Sequence, residues 1–432
     1  MVIALLGIAA LITLLALGME IGMAMMVVGI AGFTIVTNQS ATIGILRNAP
    51  TTVAANYSFS VIPMFIIMGN FAYASGISDG LFDVGDKWLS KLPGGLACAT
   101  IAACAMFGAI CGSTSATAAT MGLVAVPAMR RYGYNDTLST GTVSVGGTLG
   151  VMIPPSTPFL IYGTMAEQSV GRLFAAGVFP GIMMAVLCMV TIIIHVKINP
   201  SLAPSVDRVI TWKARFVSLK QLGWVIFLFG VVLGGMFGGY FTVNEAAAFG
   251  AFLGMVITAI RGRLTWRTFK NVMIDSLKTT SMCYLLLIGA DVFGKFLTIS
   301  QLPANLAGYI STLEVSRYVI LLFIVIIYGI MGCFIDALPM VTLTVPIFLP
   351  IIFNLGFDPI WFGVVIVMVM MLGNITPPVG LNCYVISGIV KDVPLTRIFL
   401  GSAPFIPMYL VSITLIVAFP QIALWLPNVL YG

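Results

Sequence analysis

Residues Thr148–Thr157 read TLGVMIPPST, and residues Leu372–Gly380 read LGNITPPVG. Both stretches lie deep inside apolar sequence. Proline lacks a backbone donor and breaks the helix around it, so each pair predicts an interrupted helix. A plain proline kink is one reading of either break. Two Pro-Pro breaks in matching contexts, each preceded by Leu-Gly and followed by small residues, point instead to a built site.

The surrounding sequence is that of a membrane protein. The chain has 432 residues, 60% hydrophobic and 8% charged, with a mean hydropathy of +1.10. An ordinary globular domain is about 25% charged. Runs of roughly 20 apolar residues span a bilayer as helices, and these runs lack the alternation of a barrel strand. An all-α polytopic membrane protein is expected. The first apolar run starts at Met1 without a basic leader or small-residue cleavage site, so it reads as a retained span. The net charge of +6 is scattered or sits at span ends, which argues against nucleic acid. None of the seven cysteines forms a CxxC pair, so neither a disulfide frame nor a metal site is expected. The single histidine, His195, reads as a span-end surface residue. GxxxxGK[ST], HExxH and GxSxG are all missing, which leaves neither ATP hydrolysis nor an enzyme as the simplest reading.

Charge gives the topology. Basic loops at Lys197–Lys220 (with Arg208, Lys213 and Arg215) and Arg261–Lys278 (with Arg263, Arg267 and Lys270) read as cytoplasmic. Trp212 and Trp266 among them suggest short amphipathic segments at the lipid interface. Arg130 and Arg131 come out inside, and the loop NLGFDPI around Asp358 outside. Both termini come out periplasmic.

The two breaks belong to an internal repeat. Gly133 aligns with Gly356, and Pro154 and Pro155 with Pro377 and Pro378, 223 residues on. Upstream, Gly69 aligns with Gly289 and Gly112 with Gly332, 220 residues on. Thr117–Pro127 lies against Asp336–Pro346. Opposite charge in the equivalent loops makes the repeat inverted, a recurring design of secondary transporters. The expected divisions are N-terminal scaffold spans over 1–57 and a first repeat over 58–198. Basic loops and central scaffold spans follow over 199–276, then a second repeat over 277–432. The broken helices fall at 138–165 and 360–390.

Each break follows a polar interruption that reads as the tip of a re-entrant helical hairpin. One is CGSTSATAAT, Cys111–Thr120; the other is GCFIDALP, Gly332–Pro339. Asp336 stands out, because a carboxylate inside a span is a functional hypothesis by default. Its alternative is a structural aspartate bonded to hydroxyls such as Thr342. For Ser113, Thr114 and Ser115 the alternative is helix-packing glue. Asp291 and Lys295, at i and i+4, can pair with each other. Glu20 and Glu245 read as interfacial, and Arg47 as a possible anion contact.

The motifs GSTSATAAT, GTLGVMIPPS, GRLFAAGVFPG, FIDALPM and NITPPVGLN, in that order, resemble the large membrane (DctM-type) subunit of tripartite ATP-independent periplasmic (TRAP) transporters. The resemblance implies an elevator-type transporter of organic acids, of the C4-dicarboxylate or sialic acid class, driven by sodium and without a cofactor. It implies two partners in addition to lipid: a small four-helix membrane (Q-type) subunit and a soluble periplasmic (P-type) substrate-binding protein. Carried onto this chain, sodium would be held by Ser113, Ser115, Gly150 and Ile153 at the first tip and break. A second sodium would be held by Gly332, Asp336, Gly373 and Thr376. Substrate would lie between the tips, near Thr114, Thr117, Ser156, Thr157, Asn374 and Arg47. Cys111 and Thr114 depart from a uniform Ser/Gly tip. A self-sufficient carboxylate symporter or proton antiporter with similar hairpins is the alternative within transport, and an intramembrane enzyme the alternative outside it.

Overall fold

The computed structural model describes residues 2–204, 211–312 and 315–432, without the side chains of 78, 79, 307 and 310–312. Arg208 lies outside the described residues. Every regular element among the described residues is helical. Seven of these helices are long and apolar enough to cross a membrane, from Tyr57–Ala74 to Leu395–Ala418. The fold is therefore an all-α, multi-pass membrane fold, as composition predicted.

Glycine sets the closest helix contacts. A Cβ on Gly289 would lie 2.3 Å from the Gly22 carbonyl oxygen, and one on Gly29 would lie 2.9 Å from the Phe293 backbone nitrogen. Helix Ile21–Val36 thus runs against helix Trp266–Ile299. Gly69 does something else: its Cβ would meet the Ile110 carbonyl at 3.1 Å. The expected equivalence of Gly69 and Gly289 therefore does not hold in packing.

Helix Trp266–Ile299 also corrects the amphipathic segment expected at Trp266. It is continuous over 34 residues, roughly 51 Å at 1.5 Å per residue, because no proline interrupts it and its first glycine is Gly289. Trp266 stacks on Phe269 in its first turn. Trp212–Leu219 is a separate short helix, with the Arg215 guanidinium 4.9 Å from the Trp212 ring.

Two sets of contacts define the ends of the bundle. In one, Asn135 N donates to Leu202 O (2.9 Å), Arg261 to Gly76 O (3.4 Å), and the Trp88 ring meets Phe216. Here Arg130 pairs with both Asp136 (2.6 Å) and Asp392 (2.7 Å). The hydrogen bond from Arg130 holds the Asp392 carboxyl below the usual carboxylate range. In the other set, Asn244 donates to Tyr57 O (2.8 Å), Tyr162 Oη to Pro359 O (2.6 Å) and Arg172 to Asn428 (3.4 Å). Asp291 and Lys295 do pair (2.6 Å). Glu245 closes a capping box with Thr242.

One offset relates the two stretches that carry the tips and breaks. Ser113 and Asp336 are the N-caps of helices Thr114–Arg131 and Ala337–Asn354, both 18 residues long. Pro127 and Pro350 lie inside those helices. Gly133 (φ 73°) and Gly356 (φ 72°) follow, then the N-caps Asn135 and Asp358, then Gly150 and Gly373. Every pair is separated by the same 223 residues as the prolines. The expected registers of Gly112 with Gly332 and Pro127 with Pro346 are thus corrected by about one helical turn.

Candidate functional site

Helix Gly95–Cys111 stops at Gly112, whose φ of 59° is left-handed, a conformation cheap only for glycine. Ser113 is extended, and its hydroxyl accepts from Ala116 N to cap the next helix. The turn is therefore two residues wide, narrower than the expected 111–120, and Thr114–Thr120 are helical. Thr117 satisfies its hydroxyl within the helix, its Oγ1 donating to Ser113 O at 2.7 Å.

The first break faces this tip. Helix Asp136–Thr148 tightens into a 3-10 turn, Leu149–Val151, and resumes only at Thr157–Met165. A Cβ on Gly150 would lie 2.8 Å from Thr117 Oγ1, 2.9 Å from Gly108 Cα and 3.1 Å from Ser113 O. Thr157 Oγ1 donates to Gly112 O (3.1 Å), tying break to tip. Ser156 is buried, donates to Val151 O and caps the restarted helix. Ile153 N reaches back to Leu149 O.

The second unit repeats the plan with different side chains. Helix Arg317–Gly332 ends, and Asp336 caps helix Ala337–Asn354 by accepting from Ala337 N (2.7 Å). The break runs from Gly373 to Gly380, between helices Pro359–Gly373 and Leu381–Ile389. A Cβ on Gly373 would lie 2.4 Å from the Gly332 carbonyl carbon. Gly380 N donates to Cys333 O (3.2 Å), again tying break to tip. Thr376 Oγ1 donates to Leu372 O (2.7 Å). Thr114 and Asn374 approach the Asp336 carboxylate. Asn374 is 1% exposed, with its amide buried beside that carboxylate. Thr342 donates to Pro339 O in its own helix (2.9 Å), so it is not the anchor that a structural Asp336 would use.

The two tips meet at one cavity of about 150 Å³, whose walls include Ser113, Thr114, Thr157, Asp336 and Leu338. Of the expected substrate contacts, Thr114 and Thr157 line it. Thr117 and Ser156 are turned into the first break, and Asn374 sits beside Asp336. Arg47 is exposed on helix Gln39–Ala54 and is not part of the cavity. Ser115 is half-buried in the first turn of its helix and is not part of the lining either. The lining also contains Asn70 and Thr279, which sequence reasoning missed. Asn70 did leave a signal, as the one amide in the apolar helix VIPMFIIMGNFAYA. No cluster of three or more His, Cys, Asp or Glu occurs among the described residues. The donors at the tips are carbonyls, hydroxyls and one carboxylate, a set suited to a hard cation.

The model of the family described as "Tripartite ATP-independent periplasmic transporter, DctM component" matches residues 8–422. The chain is 34% identical over 378 residues to the C4-dicarboxylate TRAP transporter large permease protein DctM of Pseudomonas aeruginosa, covering 86% of this chain and 87% of that one. It is 31% identical over 423 residues to the sialic acid TRAP transporter large permease protein SiaM of Vibrio cholerae, covering 97% of each. It is 36% identical over 357 residues to the isethionate TRAP transporter permease protein DctMQ of Oleidesulfovibrio alaskensis. That match covers 82% of this chain but only 56% of the longer relative. Among solved structures, the YdaH transporter of Alcanivorax borkumensis is similar with a TM-score of 0.62 at 15% identity, over 91% of this chain and 89% of that one. MtrF of Neisseria gonorrhoeae gives 0.63 at 14% identity, over 86% and 84%. At these identities the likeness concerns the fold alone.

Proposed function

Because the chain belongs to the DctM family of tripartite ATP-independent periplasmic transporters, we propose that it is the large inner-membrane subunit of a secondary transporter that imports an organic acid on a sodium gradient. The substrate class follows the relatives, C4-dicarboxylates or sialic acid. A periplasmic binding protein delivers the acid, and a small four-helix membrane subunit completes the permease. The observation that carries this reading is that both tips and the first helix break line one cavity, with Ser113, Thr114, Thr157 and Asp336 in its walls. Broken helices free carbonyls for a cation and half-helix N-termini for an anion. The first sodium is held by Ser113, Ser115, Gly150 and Ile153, of which Ser113 O and Gly150 are in close contact. The second sits at Gly332, Asp336, Gly373 and Thr376, where Asp336 supplies the charge. The acid lies between the tips against Thr114 and Thr157.

An inverted repeat is supported by the single 223-residue offset and by where the equivalent loops fall. The 130–136 loop touches Leu202 and Asp392, at the end rich in Arg130, Arg131, Lys197 and Arg261. Pro359 instead meets Tyr162, at the end with Asn244 and Tyr57. The positive-inside rule makes the first end cytoplasmic. The C-terminus is periplasmic on the same argument, since Asn428 is bonded to Arg172 at the second end. The N-terminus is too, since Gly7 packs on Phe296 near the end of helix Trp266–Ile299. In a cysteine-free background, Arg131→Cys is expected to react only from the cytoplasm and Asn354→Cys only from the periplasm. Labelling of both from one side contradicts the inversion.

An elevator is supported by how the units are joined. Each tip is fixed to its break by glycine contact and a hydrogen bond. Arg130 joins the first unit to Asp392 of the second. The units therefore move as one body against helices Val243–Ile260 and Trp266–Ile299. A crosslink between Ala116→Cys on the tip and Thr279→Cys on the frame is expected to stop uptake and leave binding of radiolabelled sodium intact. Uptake that survives complete crosslinking contradicts the elevator.

A further inference from the structure

We propose that the fixed frame, and not only the moving tips, reads the substrate, through Asn70 and Thr279. This rests on the transport reading above and adds two specificity-determining residues to the same cavity.

Asn70 is in helix Val61–Ala74, which packs on the frame. Thr258 Oγ1 of helix Val243–Ile260 donates to Phe71 O (2.9 Å), and Asn70 Nδ2 donates to Ser276 Oγ of helix Trp266–Ile299 (2.8 Å). Ser276 is 2% exposed and holds the amide in one place. One N–H of the amide is thereby used; its second N–H can donate to a carboxylate, and its oxygen can accept from a hydroxyl. The neighbouring Gly69 brings this turn against the first tip, since its Cβ would meet Ile110 O at 3.1 Å and Cys111 Cα at 3.2 Å. Asn70 therefore faces the tip cavity across a backbone-close contact. Thr279, on the helix that holds Ser276, lines the same wall. Its hydroxyl donates to Asp275 O (3.0 Å), which leaves it as an acceptor.

A polar pair inside a membrane can be helix glue. Glue would account for the Asn70–Ser276 bond. It would not account for both Asn70 and Thr279 lining the same cavity as Thr114 and Asp336. An acid held at one carboxylate by the tips would present its far end to this wall. The wall would then select acids whose far end bears a second oxygen group, a carboxylate or a hydroxyl.

The test measures thermal stabilisation of the chain purified with its small membrane subunit, in sodium, by succinate, malate, N-acetylneuraminate and butyrate. Direct binding bypasses the selectivity of the periplasmic protein. Asn70→Ala is expected to weaken binding of the acids with a second oxygen group by about tenfold. Butyrate binding and sodium half-saturation should stay as in wild type, and Ser276→Ala should fall between. Thr279→Val, at an exposed position that folding tolerates, should weaken malate more than succinate. An unchanged order of acids in Asn70→Ala and Thr279→Val, or an equal loss for butyrate, overturns the assignment alone. A wild type stabilised by none of the acids overturns the transport reading and the assignment with it.

Discussion

Asp336→Asn is expected to raise the sodium concentration for half-maximal uptake by more than tenfold while the protein stays folded. A carboxylate in a span must be compensated. Near Asp336 lie the buried Asn374, a threonine from the other tip and the break at Gly373. No Lys, Arg or His appears among the residues lining the cavity, and on the proposed reading a sodium ion supplies the compensating charge. Asparagine keeps the shape and can still cap Ala337 N. Hydrogen bonds and ligands involving a charge are worth about 1.5–3 kcal/mol, which corresponds to roughly 10- to 150-fold in affinity. Affinity for the acid should fall with sodium affinity, because coupling between two sites is reciprocal. Ser115→Ala removes at most one neutral ligand and should shift sodium half-saturation by about threefold or less. Uptake against sodium concentration in proteoliposomes with all subunits makes the comparison. An unchanged sodium curve in Asp336→Asn would make the residue structural.

Gly373→Ala is expected to abolish uptake through packing alone. The added Cβ would lie 2.4 Å from the Gly332 carbonyl carbon and 2.6 Å from its Cα. Both neighbours are backbone, so no flexible side chain can yield. Overpacking of this kind costs about 1–3 kcal/mol, and relief requires the second tip to separate from its break. That separation takes apart the proposed second cation site while the frame stays folded. Gly388→Ala is the control, since nothing lies within 4 Å of its added Cβ. It should transport normally. Normal sodium-dependent uptake by Gly373→Ala would mean that the close approach of Gly332 and Gly373 has no part in the site.

The parts of this arrangement written in local chemistry were legible before the structure. Pro154 and Pro377 announced the breaks because proline cannot donate to a helix. Asp336 announced a site because carboxylates are rare in spans. The register of the two halves was not legible, for a geometric reason. Pro346 and Pro350 lie one turn apart, as do Gly108 and Gly112, and a one-turn slip keeps the same face of a helix. An apolar pattern cannot reject it. The width of the first tip was hidden because Thr117 satisfies its hydroxyl on Ser113 O within a helix, and sequence cannot separate that from a loop hydroxyl. Asn70 and Thr279 enter the cavity only through packing between segments more than 200 residues apart, such as the Asn70–Ser276 contact.

The central claim is that an inward sodium gradient drives one organic acid through the cavity between Ser113–Thr114 and Asp336–Leu338. Its most direct test is uptake of radiolabelled succinate and N-acetylneuraminate into proteoliposomes holding this chain, its small membrane subunit and its periplasmic binding protein. The account predicts accumulation of one of these acids under an inward sodium gradient, none when potassium replaces sodium, and none without the binding protein. Equal uptake in potassium, or full uptake without the binding protein, would contradict it.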